Sequence, residues 1–150
     1  MRRIPATRCG VRLVEADIVA PAVRRLVFET LDGSPYDHLA GQWVKLYLPG
    51  RIERDYSIAS APGTRGASRF EILVTKVDGG PGSEALHALE VGTQLEALGP
   101  SGLFVREDAE REHASLYVGT GTGVAPLRAM LEEELSRADG PPQVLLFGCR

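Results

Sequence analysis

The sequence of this 150-residue chain changes character near residue 105, and a single sheet cannot satisfy both halves. Up to that point, β-branched and aromatic residues come in short runs closed by Gly, Pro, Asp and Ser, as in strands joined by tight turns. Runs over 11–19 and 23–30 flank Ala20-Pro21, and Leu31-Asp32-Gly33-Ser34-Pro35 is turn chemistry. Over 42–48, Trp43, Lys45 and Tyr47 alternate with Val44, Leu46 and Leu48, the two-residue period of a strand, which Pro49-Gly50 ends. Further strands are expected over 54–60, 70–77 and 95–98, the last closed by Gly99-Pro100-Ser101-Gly102. One helix is expected over 83–89, following Gly79-Gly80-Pro81-Gly82, with Leu86 and Leu89 on one face. Six short strands and one inserted helix predict a closed antiparallel β-barrel over 1–105.

The segment 106–113 (REDAEREH) holds nothing apolar except Ala109 and reads as a linker or solvated surface. Beyond it comes a short apolar strand over 114–118, then a glycine-rich turn, then a helix opened by Pro126, where the missing N–H costs nothing. Leu127, Met130, Leu131, Glu134 and Leu135 fall near one helical face, with Arg128, Glu132 and Glu133 largely elsewhere. Gly140-Pro141-Pro142 stops the helix, and 144–147 forms a second apolar strand. Strand, helix, strand is the βαβ unit of a parallel sheet. Residues 114–150 are therefore expected to begin an α/β domain that is incomplete at Arg150, since one such unit leaves sheet edges and faces open.

Seventeen Lys+Arg against twenty Asp+Glu give a net charge of -3, which leaves no footprint for nucleic acid. Cys9 and Cys149 are too few for a cysteine-ligated iron–sulfur cluster within the chain or a cysteine-rich zinc module, and no metal site is expected. Arg2 and Arg3 precede no apolar core of a signal peptide, and no apolar run approaches the roughly 20 residues of a membrane span. A soluble, cytoplasmic protein is the expectation. His38, His87 and His113 are scattered and read as structural or surface residues.

Three constellations carry chemistry. In Arg54-Asp55-Tyr56-Ser57-Ile58-Ala59-Ser60, strand alternation puts Arg54 and Tyr56 on one face. That pair suits a phosphate beside a flat heteroaromatic ring, although a plain Arg–Tyr surface pair reads the same. Gly79-Gly80-Pro81-Gly82-Ser83 leads into a helix whose first N–H groups favour an anion, or is a turn with Ser83 as cap. Gly119-Thr120-Gly121-Thr122-Gly123-Val124-Ala125-Pro126 lies between strand and helix like a dinucleotide loop, but Pro126 stands where G-x-G-x-x-G has its last glycine.

Together these motifs, with Gly41-Gln42-Trp43-Val44, Gly99-Pro100-Ser101-Gly102-Leu103-Phe104 and Phe147-Gly148-Cys149-Arg150, resemble in order and spacing the ferredoxin–NADP reductase superfamily of flavoprotein reductases. The resemblance implies a barrel that binds FAD rather than FMN, followed by the first part of a domain for NADH or NADPH. Carried over by position, Arg54 holds the flavin phosphate, Tyr56 lies against the isoalloxazine and Ser57 sits near its redox-active edge, making Tyr56 and Ser57 the catalytic pair. Leu73, Val74 and Thr75 offer main-chain contacts to the flavin, and Gly80, Gly82 and Ser83 cradle the pyrophosphate. Gly121, Thr122, Gly123 and Val124 approach the nicotinamide.

The expected activity is hydride transfer from NAD(P)H to flavin, with electrons passing to a separate acceptor whose identity the sequence leaves open. The acidic balance disfavours an acidic ferredoxin-type partner, with Arg24-Arg25 as a local patch of opposite effect. Two other readings stand beside it: a flavin-binding electron-transfer module without its own dehydrogenase activity, and a non-redox barrel that mediates interactions.

Overall fold

Apolar and polar residues alternate along β3 (Trp43–Leu48), and so does burial: Val44, Leu46 and Leu48 are sealed inside while Trp43, Lys45 and Tyr47 stay half-exposed. In this computed structural model, which describes residues 4–149, the same alternation recurs around a six-stranded antiparallel sheet. Its strands are β1 (Thr7–Ala20), β2 (Val23–Thr30), β3, β4 (Ile52–Ser57), β5 (Arg69–Thr75) and β6 (Gln94–Ser101), in the order β4-β3-β6-β1-β2-β5. Arg2, Arg3 and Arg150, used above, lie outside the described residues.

The sheet curls until its outer strands meet. Ile58 bridges Ile72 just beyond β4, and the Ala59 N–H donates to the Glu71 carbonyl at 2.7 Å. Register shifts between Leu13 and Glu15 and between Ile18 and Ala20 let the 14-residue β1 bend around the barrel. Inside, Phe28 stacks on Phe70 at 5.6 Å between centroids, and Tyr36 packs on Phe70 at 4.3 Å. Leu13, Leu26, Leu46 and Ile72 fill the remaining volume, each burial worth about 1.5–3 kcal/mol. Helix α1 (Pro81–Ala88) caps one end through the fully buried Leu86.

The second unit is small. β7 (Ser115–Thr120) and β8 (Gln143–Gly148) pair in parallel, from Ser115 with Gln143 to Thr120 with Gly148. A 3₁₀ turn (Gly121–Val124) and helix α2 (Ala125–Leu135) join them. Ala40 of the barrel packs with Tyr117, Leu127, Ala129 and Met130 where the units meet. Gly41 makes this approach possible: at φ +101° it lies so close that a Cβ would fall 1.9 Å from the Phe104 carbonyl oxygen.

Several expectations shift. The 54–60 strand ends at Ser57, because the chain turns inward at Ile58 to close the barrel. The 95–98 strand runs from Gln94 through Gly99-Pro100, whose peptide is cis, to Ser101. The helix expected at 83 begins at Pro81, which can occupy the first turn without a donor. Segment 106–113 is more than solvated surface: it forms a 3₁₀ turn (Asp108–Glu112), and Arg106 and Arg111 each lie 3.2 Å from the buried Glu134. Glu134, with 2% exposure, thereby sits on the apolar face of α2 without being left uncompensated. No helix among the described residues is long and apolar enough to cross a membrane.

Candidate functional site

A cleft of about 540 Å³ opens where β4, β5, the start of α1 and the glycine turn converge, a volume within the usual range for small ligands. Arg54, Tyr56, Ser57, Leu73, Thr75, Gly80, Gly82, Ser83, Thr122 and Gly123 line it, joined by Asp55, Val77, Pro81 and Ala125. Three of the expected residues do not. Val74 points into the barrel core, and its carbonyl accepts from His87 Nε2 at 2.9 Å. Gly121 and Val124 shape the 3₁₀ turn behind Thr122 and Gly123.

Arg54 is exposed, and among the described residues it has no carboxylate partner; its Nη1 donates only to the Glu53 carbonyl at 2.7 Å. Its side chain lies over the first turn of α1, directly against Gly82. A Cβ on Gly82 would come within 2.6 Å of Arg54 Cγ, so glycine is what lets the arginine settle there. The N–H groups of Gly82 and Ser83, in that first turn, have no intrahelical acceptor and carry the positive end of the helix dipole. One guanidinium and two amides therefore face the same space, a donor set suited to phosphate oxygens.

The Ser83 hydroxyl is committed elsewhere. It accepts from the Val77 N–H at 3.0 Å and donates to the Gly80 carbonyl at 3.0 Å, while Glu84 accepts from the Gly79 N–H at 2.9 Å. These bonds hold the glycine-rich turn in shape, leaving the Ser83 amide rather than its hydroxyl for a ligand.

Tyr56 is half-buried. Burial raises its phenol above the ordinary value of 10, with the positive charge of Arg54 pulling the other way. At neutral pH it is a protonated donor with an apolar ring face. Across the cleft, the Thr75 and Thr122 hydroxyls lie 3.0 Å apart and join the barrel wall to the glycine turn.

A more open groove of about 610 Å³ lies on the barrel near Arg8, Tyr47 and Glu96. There Arg8 is engaged with Glu96 and lies over the Tyr47 ring, so among the described residues no free cation lines the groove. The Arg24-Arg25 patch is likewise occupied. Arg24 donates to the Leu86 and His87 carbonyls, and Arg25 pairs with Asp17, Glu15 and Glu71.

Sequence reasoning missed the ionic cluster around Glu71. This carboxylate is fully buried between Phe70 and Ile72 on β5 and meets Arg25, Arg65 and Arg128. Strand period places Glu71 opposite the core-facing pair, and nothing in the strand itself marks that opposite side as covered by α2.

Residues 10–105 match the family model described as the oxidoreductase FAD-binding domain. The chain is 50% identical over 150 residues to ferredoxin–NADP reductase B of Sorangium cellulosum, covering 98% of this chain and 60% of that protein. It is 34% identical over 146 residues to the ferredoxin–NAD(+) reductase component of the alkene monooxygenase system of Xanthobacter autotrophicus, covering 96% of this chain and 43% of that one. Among solved structures, the Amycolatopsis cytochrome P450 reductase GcoB superposes with a TM-score of 0.85 at 28% identity, over 97% of this chain and 44% of its own. The chain thus spans between about two fifths and three fifths of these relatives. With the barrel, the cleft and these likenesses in hand, the chain belongs to the ferredoxin–NADP reductase superfamily, its residues 10–105 forming an oxidoreductase FAD-binding domain.

Proposed function

We propose that the cleft between β4, α1 and the Gly121–Val124 turn holds FAD and receives a hydride from NADH or NADPH, the electrons then leaving to a separate acceptor. The observation that carries this reading is the convergence on one space of Arg54, without a carboxylate partner among the described residues, with the Gly82 and Ser83 amides, the Tyr56 ring and Thr122. Residues 1–105 serve as the flavin unit, 106–113 as the junction and 114–150 as the start of the nucleotide unit.

Bound FAD would supply the redox chemistry, accepting two electrons as hydride and releasing them onward. The protein's residues bind, orient and exclude water. Arg54 and the two amides neutralise phosphate charge, and their donors are already in place, so little reorganisation accompanies binding. Tyr56 offers a flat face for stacking and its phenol a hydrogen bond; Ser57 lies one residue on, where β4 ends and the strand's edge opens to the cleft. Thr122 and Gly123 bring the glycine turn over the same opening, so a nicotinamide there would face the flavin with water displaced. No residue is required to carry a proton between the two rings.

Relatives are named as reductases of ferredoxin and as the reductase component of an alkene monooxygenase system. A protein acceptor of that kind, in a soluble cytoplasmic setting, is the corresponding proposal here. Purified chain loaded with FAD and mixed with NAD(P)H without oxygen tests the reading. Bleaching of the flavin band supports it, and a stable yellow colour favours a flavin module without dehydrogenase activity.

A further inference from the structure

We propose that Arg128 is a positioning residue: through the buried Glu71 it clamps α2 onto the barrel and so fixes the glycine turn over the cleft. This rests on the reading of the cleft as the place where flavin and nicotinamide meet. Arg128 Nη1 donates to a Glu71 carboxylate oxygen and, at 3.0 Å, to the Ala59 carbonyl. Its Nη2 holds Glu132 at 2.9 Å, and the other oxygen of Glu132 accepts from the Ala61 N–H at 3.0 Å. Helix α2 is thus tied at two points to residues 59–61, the segment that continues directly from Tyr56 and Ser57 of β4. Arg128 lies in the first turn of α2, which begins where the Gly121–Val124 turn stops. Arg128 stands between the strand that would hold the flavin and the turn that would hold the nicotinamide.

The cluster is arranged for orientation as well as for neutralising a charge. Glu71 already receives two guanidinium groups from the barrel itself, Arg25 at 3.2 Å and Arg65 at 2.9 Å. Both of these reach Oε2, and the third, from α2, takes the other oxygen, Oε1, so the carboxylate is shared between barrel and helix. Arg128 also reads out where α2 stands, because a guanidinium satisfies Glu71, Ala59 and Glu132 together in only one placement. Met130, packed at Ala40, supplies the apolar side of the same junction, but methionine contact is adaptable and sets no angle. Thr75 and Thr122, 3.0 Å apart, would register any swing of the turn.

Hydrogen–deuterium exchange on the FAD-loaded full chain, paired with anaerobic reduction by NAD(P)H, tests the clamp. In Arg128→Met, amides over 115–135 should exchange about tenfold faster while β1–β6 and flavin content hold, since local opening is confined to the released unit. The limiting reduction rate should fall about tenfold with half-saturating NAD(P)H nearly unchanged, as misplacement rather than lost binding requires. Arg128→Lys, which keeps the charge and loses the fork, should fall between. Glu132→Gln loosens the second tie and should raise exchange over the same residues even where Arg128→Met does not fold. Unchanged exchange over 115–135 in the folded variants, or an equal rise throughout the barrel, overturns the clamp. If wild-type flavin is not bleached at all, the functional reading fails, and the exchange comparison still decides the clamp.

Discussion

The barrel and the two-stranded sheet are built from comparably apolar strands, yet only one of them buries what it carries. In the barrel, Val44, Leu46, Phe70 and Ile72 are sealed because the outer strands meet at Ile58 and Ile72. In the small sheet, Leu116, Val118, Val144 and Leu146 share one face and remain 61%, 65%, 50% and 55% exposed. Among the described residues, closure rather than composition separates them. The difference bears on chemistry as well. The proposed phosphate donors sit on the closed unit, whereas Thr122 and Gly123 reach the cleft from the open one, held by α2, the threonine pair and the Glu71 cluster. Flavin binding should therefore depend on the barrel, and nicotinamide delivery on the junction.

The largest expected effect separates the two interiors. Phe70→Ala should cost about 4 kcal/mol, removing a ring packed on both Phe28 and Tyr36. Val118→Ser on the exposed face should stay within about 0.5 kcal/mol and reduce self-association. Chemical denaturation measures both, and similar costs would break the distinction between closed and open units.

Next comes the cradle. Arg54→Ala should weaken FAD binding by about 2 kcal/mol, the scale of one lost charge-assisted hydrogen bond, without altering the denaturation midpoint of the flavin-free chain. Full flavin retention would remove Arg54 from the phosphate site. Gly82→Ala sharpens the same point. Its Cβ would push Arg54 aside, with an expected loss of about 1 kcal/mol in FAD affinity, read by fluorescence titration.

The smallest effect lies on the barrel surface. Hydrogen bonds from Arg69 and Arg12 hold Glu29 below its ordinary value of 4.5. A carboxylate lowered in the folded state adds stability that is complete above its unfolded pKa and is lost as pH falls through the lowered folded value. Thermal midpoints should therefore drop on acidification below 4.5, and drop less steeply in Glu29→Gln. Identical slopes would assign the acid sensitivity to other groups.

Much of the fold is legible because period and punctuation agree: β2 runs from Val23 to Thr30 as its β-branched residues and flanking breaks dictate. The motif around Arg54 is legible for the same reason, since alternation alone puts Arg54 and Tyr56 on one face. What escapes the sequence is partnership across the chain. Arg128 and Glu132 look like the solvent side of an amphipathic helix, and only the folded chain brings them to a carboxylate 57 residues away from Arg128. Arg106 and Arg111 look like linker charge until Glu134, placed on the apolar face of its helix, is seen to need them. Ser83 reads as part of an anion cradle or as a cap, and the commitment of its hydroxyl to Val77 and Gly80 depends on turn geometry that residue types alone do not specify.

The central claim is that a guanidinium and two helix-terminal amides form a pyrophosphate site beside Tyr56. Calorimetric titration of the flavin-free chain with FAD and, separately, FMN tests it most directly. The account predicts one FAD per chain and FMN binding weaker by about tenfold or more, because FMN forgoes part of the amide contact worth about 1–2 kcal/mol. No FAD binding, or FMN binding as tightly as FAD, would contradict it.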